Sequence, residues 1–353
     1  MRYIGCKTLL LNNIEELIQR HKIHANSFCD IFSGTSTVAR FFKSKYSIIS
    51  NDVLYFSYCL QKGTIENQKK SDFKKLCSVF NFSSPIDYLN NLTLDELNKL
   101  PIEKRFFQNN YSPSGGRMYL TDENALRIDF ARNSIEDWKK QNLIDENEYY
   151  YLLAGLIEGI PFVSNIAGTY GAFSKKWDKR SYKTFQIIEL PVFNNKRKNK
   201  CYNEDGNDLI RHISGDILYI DPPYNERQYL PNYHILETAA KYDFPTLKGI
   251  TGQRGYGEKQ KSLFCSKRTV LKAFEDLISN ANFSHIILSY STDGIMSIDE
   301  IENIMKKYGN PESFEINKIN YRRYKSRESK VEAGSLSELL IYIEKGGKND
   351  WFL

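Results

Sequence analysis

Apolar and polar positions follow two different periods along the chain, and the changes of period mark its organisation. Leu9, Leu10, Ile14, Leu17 and Ile18 recur at helical spacing and predict an amphipathic helix near the start. Ser27 to Phe32 then reads as a strand, Ser33-Gly34 as a tight turn, and Thr35 or Ser36 as the N-cap of a following helix. A second strand, Tyr46 to Asn51, ends at Asp52. From about residue 60 to 165 the pattern becomes rich in Asn, Lys, Ser and Glu. Helical stretches are predicted there over Thr93–Lys99, Asp122–Gln141 and Asp145–Ile157, with no strand–helix–strand repeat. Strand and helix alternate again from Ile217: a strand to Ile220, a helix through Lys241, a strand Ile286–Tyr290, a helix Ile298–Tyr308, and strands Ser313–Ile319 and Leu336–Ile343. The pattern predicts an α/β fold divided into a first part (1–60), a mainly helical insertion (61–200) and a second part (201–353).

The strand Ile217–Ile220 stops at Asp221-Pro222-Pro223-Tyr224. Prolines have no N–H and a fixed φ, so the ladder cannot continue, and Asp221 is presented at the carboxyl end of a buried parallel strand. Open α/β sheets bind ligands there. A carboxylate, the Pro222 carbonyl and the Tyr224 ring suit a planar amine: the two oxygens accept its N–H bonds and the ring stacks on its face. An ordinary strand-ending turn is the competing reading.

Composition narrows the classes. The chain has 353 residues, of which 41% are hydrophobic and 26% charged, as in soluble globular proteins. No apolar run approaches the ~20 residues that span a bilayer, and Met1-Arg2-Tyr3-Ile4-Gly5 lacks signal-peptide character, so a cytoplasmic protein with no membrane partner is expected. Six scattered cysteines without a Cys-x-x-Cys pair fit reduced thiols, and with five unclustered histidines they predict no metal site. A net charge of +6 permits a polyanionic partner without demanding one.

Where the charge lies says more. Between Ala167 and Lys183, cations interleave with aromatic residues, and Tyr170, Lys175, Lys176, Lys179 and Arg180 are candidate DNA contacts. A solvated loop is the alternative. Gln253 with Arg254, and Tyr321 to Arg327 including Arg322 and Arg323, form further basic candidates. The Gly34 turn brings backbone N–H groups and a helix N-terminus toward a ligand. Asp52, 18 residues beyond Gly34, is placed to accept from ribose hydroxyls or to cap a helix. Asp205, in the acidic turn Tyr202 to Asp208, could contact a cofactor's adenine amine or serve as a plain N-cap. His234 opens a helix, where a structural hydrogen bond is expected rather than a general base.

The order Tyr3-x-Gly5-x-Lys7, Phe32-Ser33-Gly34, Asp52, an insertion, and Asp-Pro-Pro-Tyr resembles the adenine-specific amino-group DNA methyltransferases in the alpha arrangement of Dam-like enzymes. It is similar in particular to FokI-type modification methylases, on Arg2-Tyr3-Ile4-Gly5, Asn110-Tyr111-Ser112, Ala167 to Phe173, and Asp221-Pro-Pro-Tyr-Asn-x-Arg227-Gln-Tyr229 with Asn232-Tyr-His. Ser36 departs from it, standing where members often carry a second glycine.

The resemblance implies a Rossmann-like seven-stranded S-adenosylmethionine-dependent methyltransferase sheet with a reversed terminal hairpin. Tyr3 and Lys7 would flank the cofactor, Phe32, Ser33 and Gly34 would form its loop, Asp52 would hold the ribose and Asp205 would meet the adenine ring. Asp221, with Pro222, Pro223 and Tyr224, would sit between cofactor and target base, and Arg227 would face double-stranded DNA. The implied activity is methylation of adenine in duplex DNA by base flipping, in a restriction–modification system whose cognate endonuclease would act separately. An RNA adenine methyltransferase and a non-catalytic DNA-binding module on a methylase fold are the alternatives.

Overall fold

The computed structural model describes residues 7–257, 260–320 and 337–345. Strands β1 (Ser27–Asp30), β2 (Ser47–Asn51), β3 (Lys200–Tyr202) and β4 (Ser214–Ile220) form one half of a seven-stranded sheet. A short ribbon, β5 (Leu247–Lys248) and β6 (Gln253–Arg254), stands apart; β7 (Asn282–Ser291), β8 (Glu315–Asn320) and β9 (Ser337–Glu344) complete the sheet. The order is β3-β2-β1-β4-β7-β9-β8. Neighbours are parallel from β3 to β7, and β9 runs antiparallel to both β7 and β8, which is the expected reversed hairpin.

Strands β1 and β4 are apolar because both faces are covered. Phe28, Ile217, Tyr219 and Ile287 face the amphipathic helix Leu11–Arg20 on one side. Cys29, Leu218, Ile220 and Ile286 face the helices Val270–Asn280 and Ile298–Tyr308 on the other. Parallel register sets the site. Asp30 pairs with Ser50 on one side and Tyr219 on the other, so Asp52 and Asp221 each lie two residues beyond its partners. Three carboxylates therefore reach the same edge of the sheet.

The chain between β2 and β3 is a separate helical layer with its own core, including Leu126, Trp138, Leu152 and Ile157. Its long helices are Asp122–Lys140 and Glu146–Val163. The second passes beyond the expected stop at Ile157 and accommodates Pro161 near its C-terminal end, helped by packing against the 185–190 segment. That segment runs tight against the helix: a Cβ at Gly159 would lie 2.2 Å from Gln186 O, and Ile188 N–H donates to Gly155 O (3.1 Å). The helix Tyr229–Lys241 follows the Asp221 turn and places Leu230, Tyr233 and Leu236 in the insertion's core, so it joins the two layers.

Candidate active site

The turn after β1 is stitched to the end of β2. Ser33 N–H donates to Asn51 O (2.8 Å), and Gly34, at φ 51°, donates its N–H to Asp52 Oδ2 (2.8 Å). Asp52 Oδ1 accepts from Leu54 N–H (2.9 Å), so this carboxylate shapes the loop and begins the next helix at once. Burial pushes its pKa up to about 6 against those two amides. The helix after the turn starts at Thr37 with Ser36 in the N-cap position, as expected, but Ser36 makes no capping bond. It takes a left-handed φ of 60°, a conformation glycine adopts without strain, which explains why a second glycine suits this position.

Opposite, Asp221 ends β4 and pairs through Oδ1 with Lys7 Nζ (3.0 Å), which also lies 3.9 Å from Glu338 Oε1. Burial raises Asp221 to about 6, with Lys7 pulling it down and Glu338 pushing it up. Burial alone would lower Lys7, but the Asp221 and Glu338 charges outweigh it and its pKa is raised. Between the Gly34 loop and Asp221 lies a cleft open to solvent. Five carboxylates line it (Asp30, Asp52, Glu204, Asp205 and Asp221) against the lysines Lys7 and Lys261. Phe32, Ser33 and Pro223 also face it. Asp205 serves as N-cap of Gly206–Leu209, accepting from Asn207 N–H (2.8 Å), and also borders the cleft.

Two acids on this site escaped sequence reasoning. Asp30 is buried, accepts from Ser33 Oγ through Oδ2 (3.1 Å), and has no hydrogen-bond partner for Oδ1 among the described residues. Burial first, then the Asp221 charge, pushes it up to about 8; the Ser33 hydroxyl and, weakly, the Ala39 amide oppose this. Glu338 is the other. The available signal was an acid embedded in an otherwise apolar strand, Phe28-Cys29-Asp30-Ile31 and Glu338-Leu339-Leu340.

Other expectations need correction. Tyr224 does not offer a free ring face: it is buried, edge-on to Tyr290 with centroids 6.4 Å apart, and Lys7 Nζ lies 5.8 Å from its centroid. Tyr170 does not face nucleic acid. It is 1% exposed, its hydroxyl meets Ser164 Oγ (3.0 Å), and its carbonyl accepts from His234 Nε2 (3.0 Å). His234 is thus the structural residue expected, and burial lowers its pKa to about 4. Arg180 is partly buried, donating to Ile166 O and pairing with Asp178. Arg254 is buried in a two-point pair with Asp243. Lys175, Lys176, Lys179 and Arg227 remain solvent-exposed. Pro222 is buried at the turn. Tyr3, Arg322 and Arg323 lie outside the described residues.

A parallel sheet with one reversed strand, β9, bearing an acid-lined cleft at its strand tips, is the architecture of a Rossmann-like methyltransferase. A family model for D12 class N6 adenine-specific DNA methyltransferases matches residues 3–304, and the chain belongs to that family. It is 50% identical over 349 residues to the type II methyltransferase M.FokI of Planomicrobium okeanokoites, covering 98% of this chain and 53% of that protein. It is 46% identical over 346 residues to the modification methylase StsI of Streptococcus sanguinis, covering 98% and 52%. The type II methyltransferase M.NlaIII of Neisseria lactamica is 38% identical over 354 residues, covering 98% and 99%. The chain thus spans about half the length of the first two relatives and nearly all of the third. No helix among the described residues is long and apolar enough to cross a membrane.

Proposed function

We propose that the chain transfers a methyl group from S-adenosylmethionine to the exocyclic amine of adenine in duplex DNA, after flipping the base. The observation that carries this reading is that Asp221 shares one acid-rich cleft with the Gly34 loop and Asp52. The cleft suits this cofactor. A ligand bearing a sulfonium and an α-ammonium meets carboxylates there, and the unpartnered Asp30 Oδ1 is a buried acceptor in want of a cation. Asp52 would hold the ribose and Asp205 would meet the adenine ring, with Phe32, Ser33 and Gly34 forming the loop and Lys7 flanking the cofactor, and all of them line this cleft. When bound, the cofactor supplies an electrophilic methyl carbon on a sulfonium.

The chain's own part is positioning and polarisation. Adenine's amine is a weak nucleophile because its lone pair is delocalised into the ring. Asp221 and the Pro222 carbonyl accept its two N–H bonds and favour the pyramidal nitrogen, and these bonds strengthen as positive charge develops. Lys7 holds Asp221 Oδ1 and thereby orients Oδ2 to the amine. Stacking by Tyr224, worth ~1–3 kcal/mol per base, requires the ring to leave its packing on Tyr290 or Lys7 to move aside. The helical region 61–200 reads the target, Arg227 and the exposed lysines Lys175, Lys176 and Lys179 contact phosphates, and the protein works in the cytoplasm as the modification half of a restriction–modification pair with a separate endonuclease.

The test is methyl incorporation into duplex DNA and into transcripts, with N6-methyladenine identified by mass spectrometry. Asp221→Ala should retain cofactor binding and lose activity by about 100-fold or more. Activity above a few per cent in that variant, or preference for RNA, would overturn the assignment.

A further inference from the structure

Ile250, in the turn of the β5–β6 ribbon, is 86% exposed, more than any other large apolar side chain described. At that exposure it contributes almost nothing to the free protein's stability. Yet the turn bearing it is firmly held. Arg117 donates from Nε to Ile250 O (3.0 Å) and from Nη2 to Gly249 O (3.1 Å). The Tyr119 hydroxyl shares its proton between Thr251 O (3.0 Å) and Tyr170 O (2.8 Å). Gly249 and Gly252 are left-handed, and a Cβ at Gly252 would lie 2.5 Å from Arg117 Nε, so the brace passes directly beneath the tip.

A chain of hydrogen bonds links the tip to the hollow just past the Asp221 turn, where the base-flipping reading brings the adenine in. Tyr170, which shares the Tyr119 proton, donates its N–H to Asn232 O (2.7 Å). Asn232, with Asn225, Arg227 and Tyr229, lines a hollow just past the Asp221 turn, and Tyr229 borders the cofactor cleft as well. Exposed lysines belong to the same braced segments. Lys248 precedes the tip in β5, and Lys175 and Lys176 follow Ser174, whose carbonyl accepts from Asn165 Nδ2, which also donates to Met118 O beside Tyr119.

We infer that Ile250 is an apolar wedge that enters the duplex beside the extruded adenine and fills part of the vacated stack. This rests on the base-flipping reading above. The partner is duplex DNA: the lysines match its phosphates, and base faces are the apolar surface available between them. Isoleucine is among the side chains suited to parting a base step, and a braced tip loses little entropy on insertion. Extrusion costs a few kcal/mol, which the wedge offsets by closing the gap.

The experiment compares unmutated protein with Ile250→Ala on two substrates: a matched duplex, and the same duplex with an abasic site opposite the target adenine, where the base is already unpaired. The recognition sequence is first read from methylated DNA of expressing cells, and 2-aminopurine at the target reports extrusion. Ile250→Ala should slow methylation of the matched duplex by about tenfold or more and reduce the 2-aminopurine signal, while the abasic-site duplex reacts at the unmutated rate. No loss on the matched duplex, or an equal loss on both, overturns the wedge. An unmutated protein that methylates neither duplex overturns the methyltransferase reading itself, a different result.

Discussion

Two buried aspartates, one in the sheet and one in the helical layer, look alike by charge and differ in their partners. Asp30 and Asp129 are each pushed up to about 8, chiefly by burial. Asp129, in the Asp122–Lys140 helix, accepts from the N–H groups of Phe107 (2.8 Å) and Gln108 (2.9 Å), which would otherwise be orphans at the start of the Phe106–Tyr111 helix. Asp30 has the Ser33 hydroxyl on Oδ2, feels the Ala39 amide only weakly, and among the described residues has no hydrogen-bond partner for Oδ1. A raised pKa therefore marks burial in both regions, and what separates the two aspartates is how far their oxygens are satisfied. The cations are both partnered and differ in place: Arg132 in the insertion bonds Ala239 O (2.8 Å) and lies over the Tyr242 ring, while Lys7, paired with Asp221, faces the cleft.

The comparison can be broken at its ends. Asp129→Ala leaves two first-turn amides without an acceptor and should destabilise the fold by about 2–4 kcal/mol, read as a lower denaturation midpoint. Asp30→Asn should not destabilise the fold near neutral pH and should instead weaken cofactor binding by about tenfold or more in calorimetry. Equal stability losses in the two variants would abolish the distinction between them.

pH sharpens it. Asp30 has a folded pKa above its unfolded value, so it costs stability progressively as pH rises from about 4, where the unfolded carboxyl ionises, to about 8, and Asp30→Asn should gain relative stability across that window and level off above it. Binding a cation to Asp30 needs the ionised form, so cofactor affinity should rise from pH 6 to 8 and then level, with a flat profile in Asp30→Asn. Methylation should fall below about pH 6 as Asp221 and Asp52 are protonated. The smallest effect per residue is expected at the surface. Replacing Lys175, Lys176 and Lys179 with Ala should weaken DNA binding and flatten its salt dependence by up to about 0.9 in log–log slope per lysine, leaving cofactor affinity alone. An unchanged slope removes that segment from the interface.

The elements of the sheet were legible because their signals are local. An apolar run ended by Asp-Pro-Pro, and a strand followed by a Gly turn, specify their conformation within a few residues, and the order of such units along the chain carried the reversed hairpin through the family resemblance. Asp221, Gly34 and Asp52 came together because parallel register brings the tips of β1, β2 and β4 to one edge. The helical layer was legible as helices but not as contacts. Tyr170, Arg180 and Arg254 look from sequence like a basic, aromatic surface, and only the fold supplies Ser164, Ile166 and Asp243 to absorb them.

The sequence alone thus determined the strand tips, the turns and the acid at the end of β4, since proline, glycine and apolar periodicity act on the backbone directly. The tertiary structure decided which polar groups are satisfied: the orphaned oxygen of Asp30, the Lys7 pair with Asp221, the burial of Tyr224 and the braced exposure of Ile250. Those outcomes depend on partners far away in the chain, and burial and hydrogen bonding are properties of the assembled neighbourhood rather than of any one stretch.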